Sequence, residues 1–257
     1  MTKDRFSNQE MLSCAHSSYE EPRNLLMQEF KNAPVYSDVI AAIANGANKP
    51  TEIKDKTGME AASIHNILRH LLETRIIEKC YCITEENNKK KVQYTLTDGM
   101  FLFWHRFIPH AIPQIEIDNG DTYYKNIVKP KLHEYMGSIF ERMCQFYILK
   151  NYHSEQSYMI NAVGKWFGTD PKRKIQTDID IVGLDTSTNK AVIGDCKFRN
   201  SVIDKSVMDE LLLRKELINN KYQIISYYLF SLSGFSDWIQ ENAAKMNIIP
   251  VSLDAMY

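Results

Sequence analysis

Apolar residues recur at helical spacing in the first part of the chain, and their grouping predicts three helices. The first spans about 34–46 and ends at a glycine, the second is the short segment 51–58, and the third spans 61–73. The apolar stripe on the third helix consists of Ile64, Ile67, Leu68, Leu71 and Leu72. A stripe of this width predicts that one face of the helix packs into a core while the other faces meet solvent.

Two strand-like segments follow the third helix, at 76–83 and 91–96, and a polar, lysine-rich turn separates them. Three helices and then a hairpin with a basic tip are the element order of a winged helix-turn-helix. We therefore expect such a module over residues 34–98, preceded by a helical extension over 1–33.

The third helix would be the DNA-reading helix of this module. Its apolar stripe leaves polar side chains on the other faces, namely His65, Asn66, Arg69 and His70. The tip of the hairpin would contact phosphates through Lys89, Lys90 and Lys91. A winged helix that binds protein or serves as a spacer fits the same pattern, and so does a solvated lysine-rich turn. Both alternatives stay open at this point.

The pattern of the remaining chain predicts a helical connector over 99–130 and a second, larger domain over 131–257. That domain would contain a helix over 132–150, strands over 176–185 and 190–199, a helix over 204–219 and a strand over 223–231. The turn between the first two strands is short and polar, so these strands would form an antiparallel hairpin.

Carboxylates and a lysine cluster at one end of this predicted hairpin. Residues two apart on a strand share a face, so Asp178 and Asp180 point the same way, and so do Asp195 and Lys197. The apolar residues before Asp195 indicate that its strand is largely buried. Burying two carboxylates and a lysine is unfavourable unless they pair with each other or bind a metal.

Asp180, fourteen intervening residues and then Asp195-Cys196-Lys197 reproduce the spacing of the PD-(D/E)xK nucleases. Two carboxylates would bind a hard divalent cation, Mg²⁺ or Mn²⁺, and the lysine would orient the attacking water and stabilise developing charge. Glu141, on the preceding helix, would complete the metal ligands. The spacing by itself is weakly specific, and a surface Asp–Lys pair across two strands is the alternative.

Composition narrows the choice of function. The formal net charge of −1 means that DNA contact must come from a local basic face. The five cysteines include no second pair that would complete a zinc site, which favours reduced thiols. The sequence shows neither an apolar signal core nor a membrane span. We therefore expect a soluble, cytoplasmic protein that does not act at a membrane.

Several segments in order resemble the C-terminal portion of archaeal-type AAA-like ATPases. That portion is a winged helix followed by a PD-(D/E)xK restriction-endonuclease-like domain of unknown function. The similar segments are 21–46, 94–108, 134–144, GKWFG (164–168), TDIDIV (177–182) and IGDCKF (193–198). The resemblance implies an α+β fold class, in which the winged helix-turn-helix precedes a restriction-endonuclease-like α/β domain with a central mixed sheet.

The resemblance also implies that Glu141, Asp180, Asp195 and Lys197 form the site. Asp178 and Asp195 stand where the family more often has glutamate, which shortens each carboxylate arm by one methylene. The chain has no G-x-x-x-x-G-K-[ST] loop, so we expect no ATP site and no ATPase activity of the chain on its own. It would be a fragment of a longer ATPase or a stand-alone version that works with an ATPase partner.

The sequence thus predicts a DNA-binding, divalent-metal-dependent nuclease, and cleavage of both strands would favour a homodimer. The alternative is a catalytically inactive module that binds nucleic acid or protein and regulates an ATPase.

Overall fold

The structure, a computed structural model, describes residues 20–85, 88, 91–117, 119–151 and 159–256. The predicted extension over 1–33 is therefore described only from residue 20, and Lys89 and Lys90 lie outside the described residues. The chain divides into two compact units, Met1–Lys79 with Gln93–Leu132 and Cys80–Val92 with His133–Tyr257.

Helices make up most of the described part of the first unit. They are α1 (Glu21–Glu29), α2 (Ala33–Ala44), α3 (Pro50–Thr57), α4 (Ala61–Glu73), α5 (Gly99–Phe107), α6 (Ile112–Glu116) and α7 (Gly120–Tyr123). Proline near the start of α1, α2 and α3 favours helix initiation, since its fixed φ suits the first turn and it has no N–H to leave unpaired. Gly58 ends α3 in the left-handed conformation, with φ of 69°.

Helix α4 coincides with the predicted third helix, and its apolar stripe is buried. Ile64, Ile67, Leu68 and Leu71 pack into one core with residues of α2 such as Ile40. Strands β1 (Ile77–Tyr81) and β2 (Val92–Leu96) follow and pair in a two-stranded sheet. The end of β1 and the start of β2, at Cys80 and Val92, belong to the second unit.

A π-helical turn over Tyr124–Val128 leads into the long helix α8 (Lys129–Asn151). In the described part of the second unit, five strands then form one mixed sheet in the order β3-β4-β5-β6-β7. These strands are β3 (Ala162–Asp170), β4 (Ile175–Asp185), β5 (Lys190–Lys197), β6 (Gln223–Ser231) and β7 (Ile248–Ser252). Neighbours are antiparallel from β3 to β5 and parallel from β5 to β7. The parallel pairs require crossovers, which α9 (Lys205–Arg214) with α10 (Glu216–Asn219) and α11 (Asp237–Met246) supply.

The sheet of the second unit is covered on both faces. Helix α8 contributes Phe140, Cys144 and Ile148 to the core on one face. Helices α9 and α11 contribute Met208 and Ile239, among others, to the core on the opposite face. The domain is therefore a mixed α+β structure of three layers, with its sheet buried in the middle.

Strand β3 and the elements after β6 do not follow from the apolar pattern. The segment of β3 contains two glycines and only Trp166 and Asp170 are buried in it, so its strand structure depends on pairing with β4. The single helix expected over 204–219 is divided at Lys215 into α9 and α10. Among the described helices, none combines the length with the hydropathy that crossing a bilayer requires.

His105 on α5 provides a test of the packing of the first unit. Its side chain is 1% exposed, neither ring nitrogen has a hydrogen-bond partner among the described residues, and burial lowers its pKa to about 4. In the unfolded chain the His105 ring binds a proton near pH 6.5, but in the folded chain it does so only near pH 4. The free energy of unfolding should therefore fall as the pH decreases between these values. The expected loss is about 3 kcal/mol.

Urea unfolding of the wild type and of His105→Phe over this pH range measures that loss. The variant should show a flatter pH dependence, whereas His65→Gln, which removes an exposed histidine, should keep the wild-type slope. An unchanged slope in His105→Phe would show that His105 is not buried as a neutral ring.

Gly194 tests the packing of β5 against β6. A Cβ at this position would lie 2.8 Å from the carbonyl oxygen of Tyr228 and 3.1 Å from its Cβ, and a backbone oxygen cannot move aside easily. We expect Gly194→Ala to lower the free energy of unfolding by about 1–3 kcal/mol. In Gly164→Ala the nearest atom would be 3.5 Å away, an ordinary contact, so this variant is the matched control. Equal stability of the two variants in urea unfolding would contradict the packing.

Candidate metal centre

A β-bulge at the start of the buried part of β4 shapes the site. Gly164 of β3 pairs with Val182, but Trp166 pairs with Ile179. Two residues of β4, Asp180 and Ile181, therefore lie opposite the single residue Lys165. A bulge of this kind re-aims a side chain, and here the re-aimed residue is one of the predicted acids.

Strands β4 and β5 part at the same place. Their recorded pairing ends at Ile181 and Gly194, so Asp180 and Asp195 occupy the next positions on the two strands. The Asp180 carboxylate bridges the gap, because its Oδ2 accepts a hydrogen bond from the backbone N–H of Cys196 at 3.0 Å. From the side of α8, the Gln145 amide donates to the backbone oxygen of Asp180 at 3.4 Å.

Asp195 and Lys197 lie together, as the strand period predicts. Lys197 Nζ is 2.5 Å from Asp195 Oδ1, and the Asp195 side chain is 2% exposed. Arg214, at the end of α9, approaches the other carboxylate oxygen at 3.4 Å and binds Glu210 at 2.9 Å. The buried acid is thus held between two cations that come from different elements.

The charge of the Asp195 carboxylate is opposed by its surroundings and favoured by the nearby cations. Burial raises its pKa, and the negative charge of Asp180 raises it further, while Lys197 and Arg214 lower it. Burial of Lys197 opposes its positive charge, but Asp195 and Asp180 outweigh this and raise the lysine pKa above its usual range. The negative charges of Asp180 and Asp195 and the positive charges of Lys197 and Arg214 therefore compensate one another.

Glu141 pairs with a second lysine, Lys165, and not with Lys197. Lys165 Nζ is 2.6 Å from Glu141 Oε2, with the two side chains 22% and 28% exposed. Burial raises the pKa of Glu141, as do the charges of Asp180 and Asp178, while Lys165 lowers it. Glu141 and Lys165 thus lie within electrostatic reach of Asp180.

The structure therefore places Glu141, Asp195 and Lys197 within electrostatic reach of Asp180, and it adds two cations that the sequence pattern does not single out. Lys165 lies in the GKWFG segment, and only the register of β3 against β4 brings it opposite Asp180. Arg214 lies nineteen residues after Asp195, at the far end of a crossover helix. Asp178, in contrast, is exposed.

The donor chemistry fits a hard divalent cation. Asp180 and Asp195 offer carboxylate oxygens, and the repulsion between them is relieved by positive charge. Among the residues that the structure describes, no three His, Cys, Asp or Glu side chains converge closely enough to enclose an ion. Proteins nevertheless commonly bind Mg²⁺ through one or two carboxylates, and water and the substrate's phosphate supply the remaining ligands.

The residues expected to contact DNA lie on helix α4 and in the segment between β1 and β2. His65, Asn66 and Arg69 are exposed on α4, opposite its buried stripe. His70 shares a hydrogen bond of 2.6 Å between its Nδ1 and the Tyr36 hydroxyl.

The ammonium of Lys91 is engaged inside the second unit. It lies 2.6 Å from Glu85 Oε1 and 5.7 Å from the centre of the Trp166 ring. Lys91 would have to give up these contacts to bind a phosphate, so its DNA contact stays a prediction.

Comparisons with known proteins identify relatives of this chain. The sequence model of the family DUF234, described as archaea bacterial proteins of unknown function, matches residues 104–211. An uncharacterized protein of Methanocaldococcus jannaschii, MJECL04, is 25% identical over 177 residues, which are 68% of this chain and 38% of that protein. The chain thus spans about two fifths of the length of this curated relative.

Solved structures show weaker likenesses. Protein VC1899 from Vibrio cholerae has a TM-score of 0.35 at 12% identity, covering 93% of this chain and 52% of that one. Can2 from Sulfobacillus thermosulfidooxidans, solved with cyclic tetra-adenylate, has a TM-score of 0.30 at 11% identity, covering 93% and 52%. BpsR from Bordetella bronchiseptica, solved in a study of its DNA binding, has a TM-score of 0.24 at 11% identity, covering 49% and 87%. Such low scores carry no conclusion about this chain, which is similar in sequence to proteins of unknown function.

Proposed function

We propose that this chain is a DNA-binding, divalent-metal-dependent nuclease of the PD-(D/E)xK type. The observation that carries the proposal is the buried Asp195 carboxylate, paired with Lys197 and beside Asp180 where β4 and β5 part. A buried acid next to a second acid and a half-buried lysine is unfavourable for folding, so a chemical role would account for the presence of these residues.

Each side chain has a definite task in phosphodiester hydrolysis. Asp180 and Asp195 would hold Mg²⁺ or Mn²⁺, which when bound acidifies a water and neutralises charge on the phosphate. Lys197 would orient the attacking water and stabilise charge that develops on the phosphate oxygens. Its hold on Asp195 keeps the ammonium at the site, because a buried pair loses less to solvent than an exposed one.

We propose further that the first unit, with the hairpin, is a winged helix-turn-helix that binds DNA. Helices α2 to α4 followed by β1 and β2 support this, as does the exposed polar face of α4 with His65, Asn66 and Arg69. Lys91 would join them only after release from Glu85.

A second candidate function is a catalytically inactive module that binds nucleic acid or protein and regulates an ATPase partner. One observation favours it: Asp195 and Glu141 are each already paired with a cation of the chain itself. In such a module the internal ion pairs replace the metal and hold the fold together.

A cleavage assay separates the two functions. Supercoiled and linear DNA are incubated with the chain and Mg²⁺ or Mn²⁺, and we expect cleavage that EDTA abolishes. Asp180→Asn and Lys197→Met should each lower the rate by on the order of 100-fold, because the first removes a metal ligand and the second removes the ammonium that acts on the water and the phosphate.

The matched controls are Asp209→Asn and Lys205→Met, which remove the same groups from an exposed pair on α9 and should cleave like the wild type. Cleavage that persists in Asp180→Asn and Lys197→Met would rule out the site. Absence of metal-dependent cleavage, alone and with an ATPase partner, would favour the inactive module.

DNA binding by α4 is tested by Arg69→Ala. Loss of a guanidinium that reaches a base or a phosphate should weaken binding to duplex DNA by on the order of ten-fold and reduce its salt dependence. Fluorescence anisotropy over a salt series measures both effects. Lys205→Ala, which removes an exposed charge from α9, is the control with the same change in net charge. Equal binding by Arg69→Ala and the wild type would exclude α4 from the DNA contact.

A further inference from the structure

Lys165 lies at the candidate metal centre but outside the nuclease motif. It is the residue of β3 that faces the bulge at Asp180 and Ile181. Its ammonium binds Glu141 of α8 at 2.6 Å, and only 22% of the side chain is exposed. This ion pair links β3 to helix α8, which supplies Glu141.

The charges around Lys165 are predominantly negative. Glu141, Asp180 and Asp178 each act electrostatically on it, and together they outweigh the effect of burial and raise its pKa above its usual range. The ammonium is paired with Glu141 at 2.6 Å, and its charge compensates acids that would otherwise repel one another. A divalent cation held by Asp180 would enter the same negative field.

We infer that Lys165 is the internal counter-ion of the candidate metal centre. A divalent cation then binds there either by displacing the Lys165 ammonium from Glu141 or by binding beside that ammonium. This inference rests on the metal site of the proposed function. Two cations in one half-buried acidic group repel each other, since screening by water is weak there. Lys165 therefore stabilises the metal-free protein and at the same time lowers its affinity for the metal.

The test is calorimetric titration of the purified full chain with MnCl₂ alone, at about pH 8, where carboxyl groups are ionised. Lys165→Met and Lys165→Gln should bind Mn²⁺ on the order of ten-fold more tightly than the wild type, because the competing charge is gone. Without metal, both should unfold at lower urea concentration, because Glu141 loses its partner. Lys165→Arg keeps the charge and should resemble the wild type in both measurements.

The control Lys172→Gln removes an exposed lysine that pairs with Glu216, away from Asp180, and should leave Mn²⁺ affinity unchanged. Circular dichroism establishes that each variant is folded, and the glutamine variant serves if the methionine variant is not. The inference would be overturned if Lys165→Met and Lys165→Gln bound Mn²⁺ no more tightly than the wild type. It would also be overturned if neither the wild type nor any variant bound Mn²⁺.

The inference and the nuclease proposal fail separately. The expected order of Mn²⁺ affinities without any DNA cleavage by the wild type would overturn only the nuclease proposal. Metal-dependent cleavage by the wild type, without a gain of Mn²⁺ affinity in Lys165→Met, would overturn only the counter-ion role.

Discussion

The second unit has to accommodate a carboxylate group that is buried in its core. Asp195 ends the apolar run of β5 with a side chain that is 2% exposed, next to a second acid, Asp180. Desolvation and repulsion both act against its charge, and Lys197 and Arg214 oppose them. Because those two cations belong to β5 and to α9, docking of the crossover helix on the sheet adds the charge of Arg214 to that of Lys197 beside Asp195. The most polar group of the core is thereby coupled to its packing.

The sheet achieves this arrangement through backbone features as much as through side chains. Gly194 lets β6 approach β5 directly before Asp195, where any Cβ would contact the backbone of Tyr228. The bulge of β4 opposite Lys165 turns Asp180 toward the gap, and the N–H of Cys196 binds its carboxylate where the ladder ends. Where the ladder ends, the Asp180 carboxylate thus supplies the partner of a backbone N–H.

The charges lie on two sides of Asp180. Lys165 with Glu141 comes from β3 and α8, and Lys197 with Arg214 comes from β5 and α9. Compensation on both sides stabilises these charges without a metal, and under the proposed counter-ion role it would lower the affinity for one. The ion pairs are thus compatible with the proposed nuclease and with an inactive binding module, and metal-dependent cleavage distinguishes the two.

The local elements follow from the amino-acid sequence, because the periods of a helix (3.6 residues) and of a strand (2 residues) are properties of neighbouring residues. These elements are the apolar stripe of α4, the hairpin of β4 and β5, and the shared face of Asp195 and Lys197. Tertiary structure alone decided the rest. Strand β3 exists because β4 pairs with it, and the partners of Glu141 and Asp195, namely Lys165 and Arg214, come from elements whose register and docking no local pattern encodes. Long-range pairing depends on the packing of the whole sheet, so the sequence indicated which acids gather but not which cations hold them.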